Sequence, residues 1–412
     1  MKILHYIRRE RMLQNWHEEL EGMFDQMVEW RRHMHQYPEL SFQEVETPKM
    51  IADILEGFGI DVRRNVGGRG VVGKIYGAKP GKTIALRADF DALPIQDEKE
   101  VSYKSKVDGV MHACGHDGHT ATLLAVAKVL QDNRGSIAGN VVLLHQHAEE
   151  LSPGGAKAMI EDDCLEGVDV VFGAHLSSLS ELGKYYCKPG YSQAAADAFE
   201  ITVTGKGGHG SSPHETVDAI AVGTALVTQL QFIASRRVDP LNPVVLSVGS
   251  FHSGNAKNVI ASKATLTGTV RTLDKDLRVF MEEEIRLMAE GICESMQATC
   301  EVNYIKGYPA VFNHEEEVAV FEKAIADSLD KEMIVRSSPI MGAEDFSYYL
   351  LEKPGMFFHT GARVEGRQSY PHHHPMFDFD EKAMIYAGKA FLSIVDHYIA
   401  VKSEEEVAEA VQ

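Results

Sequence analysis

The chain has 412 residues, of which 44% are hydrophobic and 25% are charged, a composition typical of a globular protein with two or three domains. Its formal net charge of −19 argues against a nucleic-acid partner and against an anionic membrane surface, since both bind clustered lysine and arginine side chains. No apolar run suits a signal peptide or approaches the roughly 18 residues of a membrane-spanning helix, and the cysteines include no CxxC pair. These features predict a cytoplasmic protein without a disulfide framework.

Predicted strands and helices alternate in the outer parts of the chain. Apolar residues with helical spacing cover 17–34, 43–57 and 117–131, and Asp117 can cap the last of these helices. Short apolar runs predict buried strands at 83–89, 140–146, 169–175 and 355–361. This alternation favours an α/β sheet with helices on both faces.

Residues 197 to about 306 have a different order of elements. Their patterns predict a strand, a helix, two strands, a helix and a strand, which is the βαββαβ order of a ferredoxin-like α+β unit. About 110 residues also suit an independent domain. We therefore predict an α/β catalytic domain in two parts, 1–193 and 308–412, with an inserted domain at 194–307.

The stretch "MHACGHDGHTA" at 111–121 holds several side chains that can bind a metal or move a proton. They are His112, Cys114, His116, Asp117 and His119. A thiolate and an imidazole two residues apart, on a loop that leads into a helix, can reach one metal, and the positive helix end favours the thiolate. Two other interpretations stay open: Cys114 packs as a small hydrophobe among surface histidines, or it is a nucleophile with a histidine as its base.

Further candidate ligands follow the predicted strands. Ligands of an open α/β sheet bind beyond the carboxyl ends of its strands, so side chains at these ends should meet at one edge. Two adjacent glutamates also allow one carboxylate to bind metal while the other acts on the attacking water. The candidates are Asp89, Asp91, Glu149, Glu150 and His175, with His372, His373 and His374 near the C-terminus. Together with the cysteine–histidine stretch, they predict a metal site.

Motifs along nearly the whole chain resemble the amidohydrolase branch of the aminoacylase and carboxypeptidase dinuclear metallopeptidase family. That branch includes hippurate hydrolases, N-acetyl-diaminopimelate deacetylases and plant auxin-conjugate hydrolases. The motifs are "RRHMHQYPELSFQE" (31–44), "ALRADFDALPI" (85–95), "MHACGHDGHTA" (111–121), "AEE" (148–150), "GAH" (173–175), "GKGGHGSSPH" (205–214), "GTVRT" (268–272), "MGAEDFSYYL" (341–350) and "HHPMFDFDE" (373–381).

The resemblance implies a mixed-sheet peptidase domain that binds two divalent metal ions, and an inserted domain that acts as a lid and dimerises. The metal ligands it implies are Cys114, His116, Glu150, His175 and one late histidine. His373 is chosen among the late histidines because the family pattern places the ligand two residues before the proline, and His374 is its rival. The resemblance also assigns Glu149 as general base, His209 to the oxyanion, often across a dimer interface, and Asn258 and Arg271 to the substrate carboxylate.

The sequence is therefore interpreted as a metal-dependent amidohydrolase, or aminoacylase, that hydrolyses the amide bond of N-acyl-L-amino acids. A dipeptidase or carboxypeptidase of the same family is the near alternative, and a cysteine-nucleophile hydrolase or a non-catalytic binding protein is the alternative of another class. Thiolate and imidazole ligands favour zinc, whereas carboxylates also allow manganese, cobalt or nickel. The expected partners are a small-molecule substrate and a second copy of the chain, because the strand predicted at 243–251 is a sheet edge that can pair with itself in a homodimer or higher oligomer.

Overall fold

A computed structural model describes the backbone of residues 2–409 and the side chains of residues 11–398. In this part of the chain, the α-helices are α1 (Lys2–Gly22), α2 (Phe24–Gln36), α3 (Glu46–Gly57), α4 (His116–Asp132), α5 (Gly155–Glu161), α6 (Ala219–Phe232), α7 (Lys275–Ser295), α8 (Glu315–Ser328), α9 (Ser347–Glu352) and α10 (Lys382–Glu409).

The first strands along the chain are β1 (Asp61–Val66), β2 (Gly70–Tyr76), β3 (Lys79–Asp89), β4 (Ala138–Gln146), β5 (Val170–Ser177), β6 (Tyr185–Cys187), β7 (Gly190–Gln193) and β8 (Ala195–Thr204). They are followed by β9 (Gly208–His209), β10 (Val244–Ser253), β11 (Val259–Ile260), β12 (Lys263–Thr272), β13 (Thr299–Lys306), β14 (Val311–Asn313), β15 (Ile334–Arg336) and β16 (Gly355–Gly361).

The chain divides into two compact units. The first unit contains Met1–Gly190, Phe312–Ser338 and Tyr348–Gln412, and the second contains Tyr191–Val311 and Pro339–Ser347. The units thus meet along the chain after residues 190 and 311, where the sequence predicts domain boundaries after 193 and 307. The assignment of residues 194–307 to a lid and dimerisation domain stays a prediction.

The first unit is built on an eight-stranded mixed sheet in the order β1-β2-β4-β3-β5-β16-β6-β15. The four strands predicted from sequence lie adjacent in its centre, where β3 pairs in parallel with β4 and β5, and β5 pairs in parallel with β16. Antiparallel pairs join β1 to β2, β2 to β4, and β16 to β6. The α/β mixed-sheet prediction is confirmed, and the carboxyl ends of the four central strands lie at one edge.

Helix α4 leads from that edge into the core. Only Lys128 and Asp132 among its residues are not buried, as expected of a helix that is covered on all sides. Glycine lets it approach β5 closely: a Cβ at Gly118 would lie 2.6 Å from Phe379 and 2.8 Å from Leu176.

Two local predictions about helices are wrong. The helix predicted at 17–34 is two helices, because Gly22 ends α1 and a turn at Met23 precedes α2. Asp117 does not cap α4, which has Gly115 as its N-cap, at φ 97°. The carboxylate of Asp117 instead accepts hydrogen bonds from Arg31 and His35 within the core.

The second unit has the βαββαβ order expected of a ferredoxin-like fold. Its antiparallel sheet runs β10-β12-β8-β13, with β10 at one edge, and helices α6 and α7 supply the rest of a separate core. The short strands β9 and β11, which lie between β8 and β12 in the sequence, form a separate two-stranded antiparallel ribbon. Among the described residues, no helix combines the length and the apolar character that crossing a membrane requires.

Candidate active site

Five candidate metal ligands lie at the carboxyl edge of the central strands. Cys114 precedes α4, and its Sγ is 3.4 Å from Nε2 of His175, on β5. Glu150 follows β4, with Oε1 3.8 Å from Nε2 of His116 and Oε2 3.2 Å from Nε2 of His373. The donor atoms of Cys114, Glu150 and His373 lie within 4.8 Å of one another, as do those of His116, Glu149 and Glu150. Strand ends far apart in sequence thus meet in one pocket.

His116 and His175 have their outer ring nitrogens occupied. Nδ1 of His116 lies 3.1 Å from both the carbonyl oxygen and Oδ1 of Asp91. Nδ1 of His175 donates to the carbonyl oxygen of Leu176 at 2.9 Å. Each ring therefore directs Nε2 into the pocket, the arrangement in which metal-binding histidines are usually held.

Unsatisfied polar atoms mark the centre of the pocket. Nε2 of His116 and Oε1 of Glu150 are buried and have no hydrogen-bond partner among the described residues. Leaving a donor or acceptor unpaired in the interior costs about 1–3 kcal/mol, so native proteins rarely do so without a ligand or water. A cation between these two atoms would pair with both.

The electrostatics of the pocket also call for positive charge. Burial raises the pKa of the Cys114 thiol well above its usual range, and the carboxylates of Glu150 and Glu149 raise it further. Burial lowers the pKa of His116, but Asp89 and Asp91 outweigh burial and raise it to about 10. Thiol, imidazole and carboxylate donors in a pocket with excess negative charge fit a divalent cation such as zinc.

His119 lies beside these ligands but has no nitrogen left for a metal. Its Nδ1 donates to Oδ1 of Asp89 at 2.6 Å, and its Nε2 accepts from the amide of Leu176 at 2.9 Å. The other oxygen of Asp89 accepts from Arg87 at 2.6 Å. Asp89 reaches His175 through His119 and the backbone of Leu176, and its Oδ2 also lies 3.7 Å from Nε2 of His116.

The three late histidines have different surroundings. His373, at φ 63°, donates its amide to the carbonyl of Ala113 at 2.8 Å, and Glu150 raises the pKa of its imidazole. The rival His374 instead stacks on Tyr370 and accepts a hydrogen bond from the amide of Met376. His374 belongs to none of the groups of possible metal ligands among the described residues.

Two further candidates from the sequence, His372 and Asp91, lie near the five proposed ligands. Nδ1 of His372 lies 3.7 Å from Sγ of Cys114, and its ring lies 4.9 Å from that of His175. Asp91 holds His116 and also accepts from the amide of Glu150 at 2.9 Å. Its position two residues after Asp89 at the end of a strand is the signal that it points into the same edge. Residue type does not separate His372 from its two neighbours, and the family pattern selects His373 instead.

His112 is buried at the edge of this region without joining it. Neither of its ring nitrogens has a partner among the described residues, and burial lowers its pKa to about 4. It belongs to none of the groups of possible metal ligands in the described chain, so the structure does not bring this candidate of the 111–121 stretch to the site.

The remaining predicted site residues lie in the second unit. Nδ1 of the exposed His209 accepts from the amide of Ser211 at 3.2 Å, so the proton of its ring is on Nε2. Asn258 lies beside it, because its carbonyl accepts from the amide of Gly210 at 2.9 Å next to the β9–β11 pair. Arg271, on β12, is half-buried and donates to Thr269 and to the carbonyl of Val270. Within the described residues of this unit, it forms no ion pair with a carboxylate.

Comparison with known proteins agrees with this architecture. Residues 85–397 match Peptidase family M20/M25/M40. The chain is 53% identical to the YhaA protein of Bacillus subtilis, whose name ascribes an amidohydrolase activity to it, over 90% of this chain and 94% of that protein. It is 46% identical to an N-acyl-L-amino acid amidohydrolase of Geobacillus stearothermophilus, over 73% of this chain and 82% of the relative.

Two further relatives bear on chemistry. A thermostable carboxypeptidase of Saccharolobus solfataricus is 42% identical over 87% of this chain and 92% of its own length. The crystal structure of the Bacillus subtilis YxeP protein, described as a dinuclear metal-binding peptidase, superimposes with a TM-score of 0.81 at 34% identity. That match covers 92% of this chain and 99% of the YxeP chain.

Proposed function

The chain belongs to peptidase family M20/M25/M40 and is a hydrolase, and we propose that it hydrolyses the amide bond of N-acyl-L-amino acids with two divalent metal ions. The products are a carboxylic acid and a free amino acid. The proposed metal ligands are Cys114, His116, Glu150, His175 and His373. The observation that carries the proposal is the pair of buried, unpartnered atoms, Nε2 of His116 and Oε1 of Glu150, that face each other at 3.8 Å. The dinuclear centre of the YxeP relative supports two ions rather than one.

The bound ions would supply Lewis acidity, which polarises a carbonyl group and lowers the pKa of a water molecule toward neutrality. The protein supplies the remaining proton chemistry. Glu149 is buried next to a proposed ligand, and we assign it to take a proton from the attacking water and to pass it to the leaving nitrogen. Zinc, manganese, cobalt and nickel all suit this mixed donor set, with zinc favoured by the thiolate and imidazoles.

We assign the second unit to substrate recognition. With its proton on Nε2, His209 is a hydrogen-bond donor for the oxyanion that develops on the amide carbonyl. Arg271 has no carboxylate partner within its unit and can bind the substrate carboxylate with two parallel hydrogen bonds. Asn258 would add a polar contact to the same group. Burial lowers the pKa of Arg271, and Asp197 opposes that effect.

A homodimer would allow His209 to act in the active site of the partner. Strand β10 lies at an edge of the second unit's sheet, and an uncovered edge can pair with a copy of itself. In a two-fold dimer the same surface is used by both chains. We therefore propose that the chains exchange this histidine.

The carboxypeptidase relative supports peptides as a second candidate substrate class. A dipeptide and an N-acyl amino acid both present an amide and a free carboxylate, so the same residues would serve both. Burial and the carboxylates beside Cys114 raise the pKa of its thiol, so these surroundings suit a thiolate that a bound cation stabilises rather than a free thiolate nucleophile. A purely binding protein has no need of the adjacent Glu149 and Glu150.

A substrate screen with metal analysis tests this proposal. The purified protein is assayed with N-acetyl-amino acids, N-benzoyl-amino acids and dipeptides, before and after chelation, while its metal content is measured. We expect hydrolysis of N-acyl amino acids with close to two ions per chain, loss of activity on chelation, and recovery when the metal is returned. Full activity in the metal-free protein would refute the metal mechanism and favour the thiol mechanism. Hydrolysis of dipeptides alone would favour the peptidase.

A further inference from the structure

The N-terminal motif at 31–44 has no part in the proposed chemistry, although four of its polar side chains are buried: Arg31, His35, Ser41 and Glu44. Arg31 is fully buried and donates to three carboxylates. Its Nε lies 2.9 Å from Asp117, its Nη2 lies 3.1 Å from Asp378, and its Nη1 lies 3.1 Å from Glu381. The rings of Tyr103 and Phe379 cover its faces at 4.7 and 4.5 Å. An arginine with this many partners fixes the relative position of the segments that carry them.

The three carboxylates lie on the two segments that carry the proposed ligands His116 and His373. Asp117 directly follows His116 in the chain, and Asp378 and Glu381 lie shortly after His373. Arg31 therefore joins the start of α4 to the loop that presents His373.

His35, one turn further along α2, strengthens the first of these contacts. Its Nδ1 donates to the same oxygen of Asp117 at 2.7 Å, while its Nε2 lies 3.1 Å from Nζ of Lys99 and 3.3 Å from Oδ2 of Asp97. The remaining oxygen of Asp117 accepts from the amide of Gly118 at 3.0 Å. The residue next to His116 is thus held from both sides.

Ser41 reaches two proposed ligands through a single carboxylate. Its hydroxyl donates to Oδ2 of Asp91 at 2.6 Å. The same oxygen accepts from the amide of Glu150, and the other oxygen of Asp91 lies 3.1 Å from Nδ1 of His116. Loss of the Ser41 hydroxyl would allow Asp91 to rotate, and with it the imidazole of His116.

Glu44 ends the motif with a contact to the glutamate loop. Its Oε1 accepts from the amide of Ala148 at 2.9 Å, and Ala148 has the strained φ of 52° just before Glu149. Arg31, His35, Ser41 and Glu44 thus each contact a residue that adjoins or orients a residue of the proposed site.

We propose that segment 31–44 is the positioning element of the metal site, in which Arg31 fixes the two ligand-bearing segments to each other and Ser41 fixes the carboxylate that orients His116. This inference rests on the proposed function, because it assumes that His116, Glu150 and His373 bind metal. The alternative is that these contacts stabilise the fold alone. Positioning predicts a lower metal affinity in the folded protein, whereas a purely structural role predicts a lower melting temperature with the affinity unchanged.

The test uses Arg31→Lys and Ser41→Ala in the full chain, with Arg278→Lys as a matched control. Lysine keeps the charge but cannot donate to three carboxylates in fixed directions. Arg278 is also a largely buried arginine that pairs with a buried carboxylate, Asp197, at 2.6 Å, but it lies in the second unit, which carries none of the proposed metal ligands. Each metal-free protein is titrated with Zn²⁺ against a competing chelator, and its melting temperature is measured without metal.

We expect Zn²⁺ to bind Arg31→Lys about 10- to 100-fold more weakly than wild type, as is typical when residues that orient ligands are changed. Ser41→Ala should lose about 10-fold, and Arg278→Lys should bind like wild type. Ser41→Ala removes a single hydroxyl group, so it decides the question if Arg31→Lys does not fold. Wild-type Zn²⁺ affinity in Ser41→Ala, and also in Arg31→Lys if that variant folds, would overturn the inference and leave the proposed function intact. Failure of wild type itself to bind Zn²⁺ would overturn the proposed function and this inference with it.

Discussion

The adjacent glutamates provide the sharpest test of the proposed division of labour. Glu149→Gln and Glu150→Gln are matched changes, since each replaces one buried carboxylate by an amide of the same shape in the same loop. The structure gives them different surroundings. Oε2 of Glu150 lies 3.2 Å from His373, and its Oε1 is the buried atom without a partner that faces His116. Both oxygens of Glu150 are therefore directed at other proposed ligands.

The two variants should fail in different ways. Without its general base, Glu149→Gln should lose about 10²- to 10⁴-fold in kcat, which corresponds to about 3–5 kcal/mol of transition-state stabilisation, and should keep its metal. Glu150→Gln places an NH2 group or a neutral oxygen where a ligand is proposed. Its Zn²⁺ affinity should fall by more than the roughly 100-fold typical of residues that only orient a ligand.

The assay measures kcat with a saturating N-acetyl-L-amino acid, and metal content after desalting, for both variants and wild type. Excess Zn²⁺ should restore part of the activity of Glu150→Gln and none of that of Glu149→Gln. Near-normal turnover by Glu149→Gln would show that it is not the base. Equal loss of metal from both variants would refute the separation of roles.

Three further predictions concern other parts of the molecule. Arg271→Ala should raise KM for N-acyl amino acids by about 10-fold or more, the scale of a lost charge-assisted pair, but should change little for amide analogues that lack the carboxylate; equal loss for both substrates would make Arg271 structural. If His209 acts in the partner's site, refolding inactive His209→Ala and Glu149→Gln chains together should recover about one quarter of the sites, since half of the dimers are mixed and each holds one intact site. No recovery in heterodimers verified by mass would place His209 in its own chain's site or outside catalysis. His145, on β4, is fully buried without a hydrogen-bond partner among the described residues, and burial lowers its pKa from 6.5 to about 3. Between these two pH values the imidazole of His145 binds a proton in the unfolded chain but not in the folded chain. The free energy of unfolding should therefore fall as pH falls from about 6.5 toward 3, by about 2 kcal/mol at pH 5. His145→Leu should remove that dependence in denaturant unfolding at pH 5 and 7, and an unchanged dependence would assign it to other groups.

The sequence predicts those parts of the fold that depend on local pattern. The four apolar runs became adjacent parallel strands because buried strands of a parallel sheet are apolar on both faces. The βαββαβ order led to a four-stranded sheet with the strand order of a ferredoxin-like fold. Because parallel strands share one carboxyl edge, Cys114, Glu150 and His175 could be placed together without knowledge of any distance.

The sequence fails where a side chain has a choice between local and distant partners. Asp117 has the position of a helix cap, but Arg31 offers its carboxylate a charged partner from 86 residues away, and Gly115 takes the cap position. Leaving the buried Arg31 without this partner would cost about 3–5 kcal/mol, which exceeds the roughly 1 kcal/mol of a helix cap. Residue type does not separate the three late histidines; only the family pattern singles out His373, whose backbone has a φ of 63° and whose ring faces Glu150.

The hydrogen-bonding state of each imidazole determines which histidines can bind metal. Residue 176 at the end of β5 illustrates this, because its amide donates to Nε2 of His119 and its carbonyl accepts from Nδ1 of His175. The first hydrogen bond occupies Nε2 of His119, so that this atom is not available to a metal. The second holds the ring of His175 with its Nε2 toward Cys114. Two histidines whose rings lie 4.5 Å apart thus acquire opposite roles from one residue of backbone. The number and spacing of histidines in the sequence do not reveal this difference. The backbone of β5, which ends at residue 177, orients both rings without any bound metal.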